Sequence, residues 1–160
     1  MKIGILSDTH DNLNAIAKAV DFFNQEHVAQ VLHAGDIISP FTFNEFKRLK
    51  MPLWAVYGNN DGEKLLLKEK IKGIGEIYEQ FFVKEWEGKK IVVMHEPKFI
   101  DSLKNSGEYD LIVYGHTHKV DIQKGKALVF NPGECGGWIT GKSTVGILDL
   151  GTLEVKLVEL

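Results

Sequence analysis

A single cysteine, Cys135, rules out any disulfide within the chain. No apolar run approaches the roughly 20 residues of a membrane-spanning helix. The first apolar run, Ile3 to Leu6, meets Ser7 and Asp8 too early to serve as the apolar region of a secretory leader. A reducing, cytoplasmic setting is therefore expected. Excess positive charge is missing as well. The 19 Lys and Arg stand against 22 Asp and Glu, for a net charge of −3. The densest basic stretches, Lys68 to Lys72 and Lys89-Lys90, are short, and the first is broken by Glu69. That excludes the basic footprint of a dedicated nucleic-acid binder. Repeats, low-complexity tracts and linkers are also absent, so residues 1–160 are expected to form one domain. At 44% hydrophobic and 26% charged, the composition suits a soluble domain with a buried core.

Five apolar runs each stop within a few residues of a side chain able to bind a metal. Ile3 to Leu6 leads to Asp8 and His10, and Val31-Leu32 leads to Asp36. Leu53 to Tyr57 leads to Asn59, Ile91 to Met94 leads to His95, and Leu111 to Tyr114 leads to His116 and His118. If the runs are strands of one mostly parallel sheet, their C-terminal ends share one edge, where open α/β sheets bind ligands.

The periodicity supplies the rest of the frame. Lys2 to Ser7, Gln30 to His33 and Leu53 to Tyr57 read as buried strands. Between the first two, Ile16, Ala17, Val20, Phe22 and Phe23 recur at helical spacing from Leu13, with Asp11-Asn12 as a cap. Pro40 to Lys50 and Glu63 to Ile71 read as weaker helices. The second half is richer in hairpins: Gln80 to Trp86 with Lys89 to Met94, Val120 to Gln123 with Ala127 to Phe130, and Ser143 to Asp149 with Leu153 to Leu160. Phe99 to Asn105 reads as a short helix. A βαβαβ start followed by hairpins suggests two packed sheets flanked by helices.

Taken singly, each ligand candidate has a plainer reading. Asp8 or Asp36 could cap a helix, and Gly58-Asn59-Asn60-Asp61-Gly62 is a turn by composition. His95 could be a satisfied polar residue after a strand, and histidine pairs such as His116 and His118 also occur on ordinary surfaces. His27 reads as exposed and His33, inside a strand, as structural. Their conjunction at five strand ends favours the metal reading. A carboxylate has two oxygens and can bridge two cations, while an Asn oxygen can ligate and its amide can donate to phosphate.

Together, Asp8 and His10, Gly35-Asp36, Gly58-Asn59 with Asp61, His95, and Gly115-His116 with His118 resemble the signature of the calcineurin-like metallophosphoesterases, in particular their compact prokaryotic phosphodiesterases. Asn131-Pro132-Gly133 resembles a further turn of the small members. The resemblance implies a four-layer αββα sandwich of two sheets. It implies two divalent cations: Asp8, His10, Asp36 and His118 on the first, and Asp36, Asn59, His95 and His116 on the second. Mixed N and O ligands suit Mn, the leading candidate, or Ni, Zn, Fe and Co better than Mg. The implied reaction is hydrolysis of a small phosphodiester by a metal-bridging hydroxide, with Asn59 and Asn60 contacting substrate. Two cations, two aspartates and one hydroxide leave roughly +1 facing the anion. The alternatives are a phosphomonoesterase or nuclease of the same family, or a scaffold similar to the small retromer subunit, which has lost histidines that this chain keeps.

Three residues depart from the family pattern. Asn60 stands where larger members carry a His as proton donor, so either good leaving groups or another acid supplied by water is expected. Glu96 replaces a common Gly and either faces solvent or repels doubly charged monoesters. Glu134 follows Gly133 where Ser is frequent. Among the aromatics, Phe41, Phe43, Phe46, Trp54, Trp86 and Trp138 are expected in the core, with a homodimer contact as the alternative.

Overall fold

The computed structural model describes residues 1–160. The chain runs β1 (Lys2–Leu6), α1 (Leu13–Gln25), β2 (Gln30–His33), a 3-10 turn (Pro40–Thr42), α2 (Phe43–Phe46), β3 (Leu53–Val56), α3 (Lys64–Lys70) and β4 (Gly75–Tyr78). It continues through β5 (Phe81–Trp86), β6 (Lys89–Met94), α4 (Ile100–Ser106), β7 (Leu111–Val113), β8 (Val120–Gln123), β9 (Leu128–Pro132), β10 (Thr144–Asp149) and β11 (Glu154–Glu159).

The strands form two sheets, ordered β11-β10-β1-β2-β3-β4 and β5-β6-β7-β9-β8. Strands β1 to β4 are mutually parallel, β10 is antiparallel to β1, and β11 closes that edge antiparallel to β10. In the second sheet β6, β7 and β9 are parallel, with antiparallel β5 and β8 at the edges. The five ligand-bearing runs are thus not strands of one sheet. Three lie in the first sheet and two in the second, and their C-terminal ends still meet.

Alternation along the strands explains the layering. Ile3 and Ile5 of β1 join Val56, Ile91, Val93, Leu111, Val113 and Phe130 in a core between the sheets. The opposite face of the first sheet takes Ile16, Ala19, Val20 and Phe23 of α1, with Phe43 and Phe46 of α2. Val92, Ile112 and Val129 turn the other way and pack with Ile100 and Leu103 of α4. The result is the expected four-layer αββα sandwich. Burying a large side chain contributes about 1.5–3 kcal/mol, so the three clusters carry the fold.

Two elements differ from the periodic reading. Gly75–Tyr78 has one buried residue, Ile77, and little apolar signal, yet it adds a fourth parallel strand. Gly75 is required there, because a Cβ would fall 1.6 Å from the Leu53 carbonyl oxygen. Pro40 to Lys50 holds only a 3-10 turn and one turn of α-helix, since just Thr42, Phe43 and Phe46 reach the core. Of the aromatics expected inside, Phe43 and Phe46 are buried and Trp54 stacks on Trp86, with ring centroids 4.9 Å apart. Phe41 and Trp138 are exposed.

Candidate metal centre

Each ligand candidate sits in the loop that follows a strand, held by backbone hydrogen bonds between loops. The Asp8 N–H donates to the Gly35 carbonyl at 2.9 Å, His10 N–H to Asp36 at 3.1 Å, and Gly115 N–H to His95 at 3.0 Å. The segment after β9 closes over the first loop, with Cys135 N–H on Ser7 O and Gly136 N–H on Asp8 O. Asn12 caps α1 by accepting from Ala15 N–H, while its amide donates to Gly136 O at 2.7 Å.

Five of the seven candidates hold a left-handed backbone: Asp8 (φ 53), His10 (φ 41), Asp36 (φ 60), His116 (φ 68) and His118 (φ 60). Asp and His tolerate this region better than most residues, but it still costs on the order of 1 kcal/mol or more each. Such strain, concentrated in one place, marks a site whose side-chain directions matter. The turn offers what the geometry needs at Gly58, where a Cβ would lie 2.1 Å from Asp36 Oδ1.

Two sets of donor atoms result. Asp8, His10, Asp36 and His118 each offer an atom, all within 4.8 Å of one another. His10 Nε2 lies 3.3 Å from His118 Nε2 and 3.6 Å from Asp36 Oδ2, and His118 Nε2 lies 3.4 Å from Asp8 Oδ1. In the second set, Asn59 Oδ1 lies 2.9 Å from both His95 Nε2 and His116 Nδ1. His95 Nε2 is 3.4 Å from Asp36 Oδ2. Ligands about 2.0–2.2 Å from one cation lie roughly 3–4 Å from each other, which matches the first set and, in the second, the contacts of Asn59 with His95 and His116 and of His95 with Asp36.

Protonation supports the fit. His95 Nδ1 lies 2.8 Å from the Ala34 carbonyl, which places the ring proton there. In the neutral ring the Nε2 lone pair then faces oxygens of Asn59 and Asp36, an arrangement that a cation, or a proton in its place, satisfies. Asp36 is almost wholly buried. Burial alone would raise its carboxyl, but His95 and the two donors of Asn60 outweigh that and hold it well below the usual carboxylate range. His95 itself is raised, because Asp36 overcomes the opposing effect of burial.

The structure brings all seven candidates together. Asn60 is used differently from a substrate donor: its N–H donates to Asp36 Oδ1 at 2.9 Å and its amide to Oδ2 at 2.7 Å. Glu96 pairs with Lys98 at 2.9 Å and stays partly exposed. His27 is exposed, and His33 is fully buried among supporting hydrogen bonds. The Gly35 N–H donates to His33 Nδ1 at 3.1 Å, so the other ring nitrogen carries the proton and meets Thr9 Oγ1 at 3.1 Å.

Three supporting residues were not legible as such. Asp61, part of the turn and of the family signature but with no role assigned, accepts from the N–H groups of Asp36 (3.2 Å), Ile38 (2.6 Å) and Gly58 (2.7 Å), tying two ligand loops together. Asn131 donates to Gly115 O at 3.0 Å and Thr117 Oγ1 at 3.1 Å, fixing the loop of His116 and His118. Glu134 is fully buried, accepts from Ile139 and Thr140 N–H groups, and places Oε2 3.2 Å from His118 Nδ1. Only its position beside Asn131-Pro132-Gly133 hinted at a role.

Comparison with known proteins agrees with this geometry. The family model of the calcineurin-like phosphoesterase superfamily domain matches residues 1–153. A phosphodiesterase of Methanocaldococcus jannaschii is 44% identical, over 100% of this chain and 99% of its own. A probable metallophosphoesterase of Methanothermobacter thermautotrophicus is 31% identical, over 83% of this chain and 76% of its own. The solved structure of an archaeal phosphodiesterase superposes with a TM-score of 0.94 at 43% identity, covering 100% of both chains. A fold of two sheets, a convergent Asp/His cluster and these likenesses have one common explanation: the chain belongs to the calcineurin-like phosphoesterase superfamily.

Proposed function

We propose that this phosphoric ester hydrolase is a phosphodiesterase acting on small diesters at a two-cation centre, with residues 1–160 as one catalytic domain. Asp8, His10, Asp36 and His118 hold one cation, and Asp36, Asn59, His95 and His116 hold the other. The observation that carries this reading is the position of Asp36 Oδ2, 3.6 Å from His10 Nε2 and 3.4 Å from His95 Nε2. One carboxylate therefore faces both donor sets. Bound there, the cations supply an activated water and offset charge on the phosphoryl oxygens.

The chain's own groups prepare that chemistry. Ala34 orients His95, Glu134 backs His118, and Asp61 holds the Asp36 and Gly58 loops in register. The N–H of His116 donates to both Asp8 oxygens, at 3.2 and 3.0 Å, which locks that carboxylate. Asn60 clamps Asp36 and has no proton to give at neutral pH, so esters with good leaving groups are favoured unless water supplies the acid. The net charge of −3 and the shortness of the basic stretches in the sequence favour a small diester over a nucleic acid. Mixed N and O donors favour Mn over Mg. A lone buried thiol, Cys135, with no nearby partner, suits a reducing cytoplasm.

The test is turnover of bis(4-nitrophenyl) phosphate beside 4-nitrophenyl phosphate, using chelator-stripped protein titrated with Mn²⁺. Activity is expected to appear with metal, to favour the diester and to fall by more than about a hundredfold in Asp36→Ala. Turnover without metal, or preference for the monoester, contradicts the proposal.

A further inference from the structure

Beside the metal centre lies a cleft of about 500 Å³, a size that suits a small organic ligand. Asn59 and His95 are among its lining residues, so it adjoins the second donor set. Part of its wall is apolar and aromatic, with Phe81, Val92, Met94, Phe99, Leu103 and Tyr109, and the rest is polar. Phe81 is 57% exposed and Phe99 is 78% exposed. Phe99 also holds a left-handed backbone, φ 57, just ahead of α4. A strained, solvent-facing aromatic next to a reaction centre is poorly explained by packing, because it adds almost nothing to the core.

The charges on the rim narrow the choice of occupant. Lys64 pairs with Glu79 at 3.4 Å, and Lys98 pairs with Glu96 at 2.9 Å. Lys64 also lies over the Tyr57 ring, 5.0 Å from its centroid. Both cations of the cleft are thus matched by carboxylates, and no free positive charge remains for a second phosphate. What remains is surface suited to a flat, uncharged group.

We propose that this cleft binds an uncharged aromatic ester group of the diester, stacked against Phe81 and Phe99 while the phosphate lies at the metal centre, on the side of Asn59 and His95. This rests on the phosphodiesterase reading and adds the class of substrate: diesters bearing an aryl group or a nucleobase. It also gives Glu96 a role. By neutralising Lys98 it denies the cleft an anion site, which disfavours substrates with a second charged phosphate.

Binding, measured by calorimetry on the Mn²⁺-loaded protein, tests the proposal without turnover. The probes are methylphosphonate monoesters that share one anionic head: ethyl, benzyl and thymidine 5′ esters. The benzyl ester is expected to bind at least about tenfold more tightly than the ethyl ester. Phe81→Ala and Phe99→Ala are each expected to bring that ratio below about threefold. Both side chains are exposed, so neither change removes core. Equal affinity for the benzyl and ethyl esters in the parent protein overturns the proposal, and so do variants that leave the ratio intact. A thymidine ester at least as tight as the benzyl ester identifies a nucleotide-derived diester; one as weak as the ethyl ester identifies a simple aryl diester. A protein that shows this ratio yet turns over no diester would contradict the phosphodiesterase reading alone.

Discussion

The Glu134 carboxylate and the His118 ring lie in direct contact, with Oε2 3.2 Å from Nδ1 and no hydrogen bond from either atom to any other group. The contact is off-line for a hydrogen bond. Burial opposes the charge on Glu134, but the Thr140 and Ile139 donors and His118 hold its carboxyl below the usual range. A carboxylate against Nδ1 keeps the proton on that nitrogen and leaves Nε2 free to face Asp8 and His10, the pattern common behind metal-binding histidines. Glu134→Gln keeps an acceptor for the two backbone donors and removes the charge. Calorimetric titration with Mn²⁺ should show the His118 set weakened by about 10–100-fold. Unchanged affinity would mean that Glu134 serves the backbone turn alone.

Asp61 makes a second prediction. Its carboxylate satisfies three backbone N–H groups, two of them belonging to Asp36 and Gly58. In Asp61→Asn one oxygen becomes a donor, and at least one buried N–H loses its partner, at about 1–3 kcal/mol. For a chain of this size that lowers Tm by several degrees, roughly 2–4 °C per kcal/mol. Thermal unfolding monitored by circular dichroism would reveal it, and an unaltered Tm would sink the scaffold role.

His33 sets a pH dependence of stability. Desolvation pulls the fully buried ring down to about 3 from its ordinary value of 6.5, against the opposing charges of Asp8 and Asp36. The folded state therefore binds this proton less readily than the unfolded chain. The contribution is complete above pH 6.5 and is lost as pH falls towards 3. Over that window one proton corresponds to about 1.4 kcal/mol per pH unit. His33→Gln should be less stable at neutral pH, where Thr9 and Gly35 lose their fitted partner. Its stability should fall less steeply than the parent's between pH 6.5 and 4 in urea titrations. Equal slopes would mean that His33 takes up its proton in the folded state too.

The lack of a proton donor at Asn60 should appear in leaving-group dependence. In a series of substituted phenyl methyl phosphates, kcat is expected to fall steeply as the phenol becomes less acidic, with ring size held constant. Asn60→His should flatten the slope if the imidazole reaches the leaving oxygen, since general acid catalysis is worth about 10²–10⁴-fold on poor leaving groups. It also removes the amide that clamps Asp36, so metal affinity should be measured alongside. A flat series in the parent protein would point to another proton donor.

Most of the frame follows from short apolar runs. Ile3 to Leu6 or Ile91 to Met94 can be read as buried strands because every residue packs on one layer or the other. The ligands can be read because each follows such a run directly. Gly75–Tyr78 escapes because one buried Ile77 carries no period, and its place depends on the Leu53 backbone beside it. The split of the five runs between two sheets is equally silent in the pattern, since β1 and β6 are apolar in the same way. Glu134 and Asp61 escape for another reason: their partners are backbone N–H groups and a histidine ring brought close only by folding. Left-handed φ values at Asp8, His10, Asp36, His116 and His118 leave no mark in composition beyond the tolerance of Asp and His for that region.

The claim that Asp36 is shared by two cations is tested most directly by locating them. Crystals of the Mn²⁺-loaded protein, with diffraction recorded at the manganese absorption edge, would show each cation as an anomalous peak. Two peaks about 3.5–4 Å apart, one beside Asp8, His10 and His118 and one beside Asn59, His95 and His116, with Asp36 between them, are the predicted result. A single peak, or peaks that leave Asp36 unbound, would contradict the account.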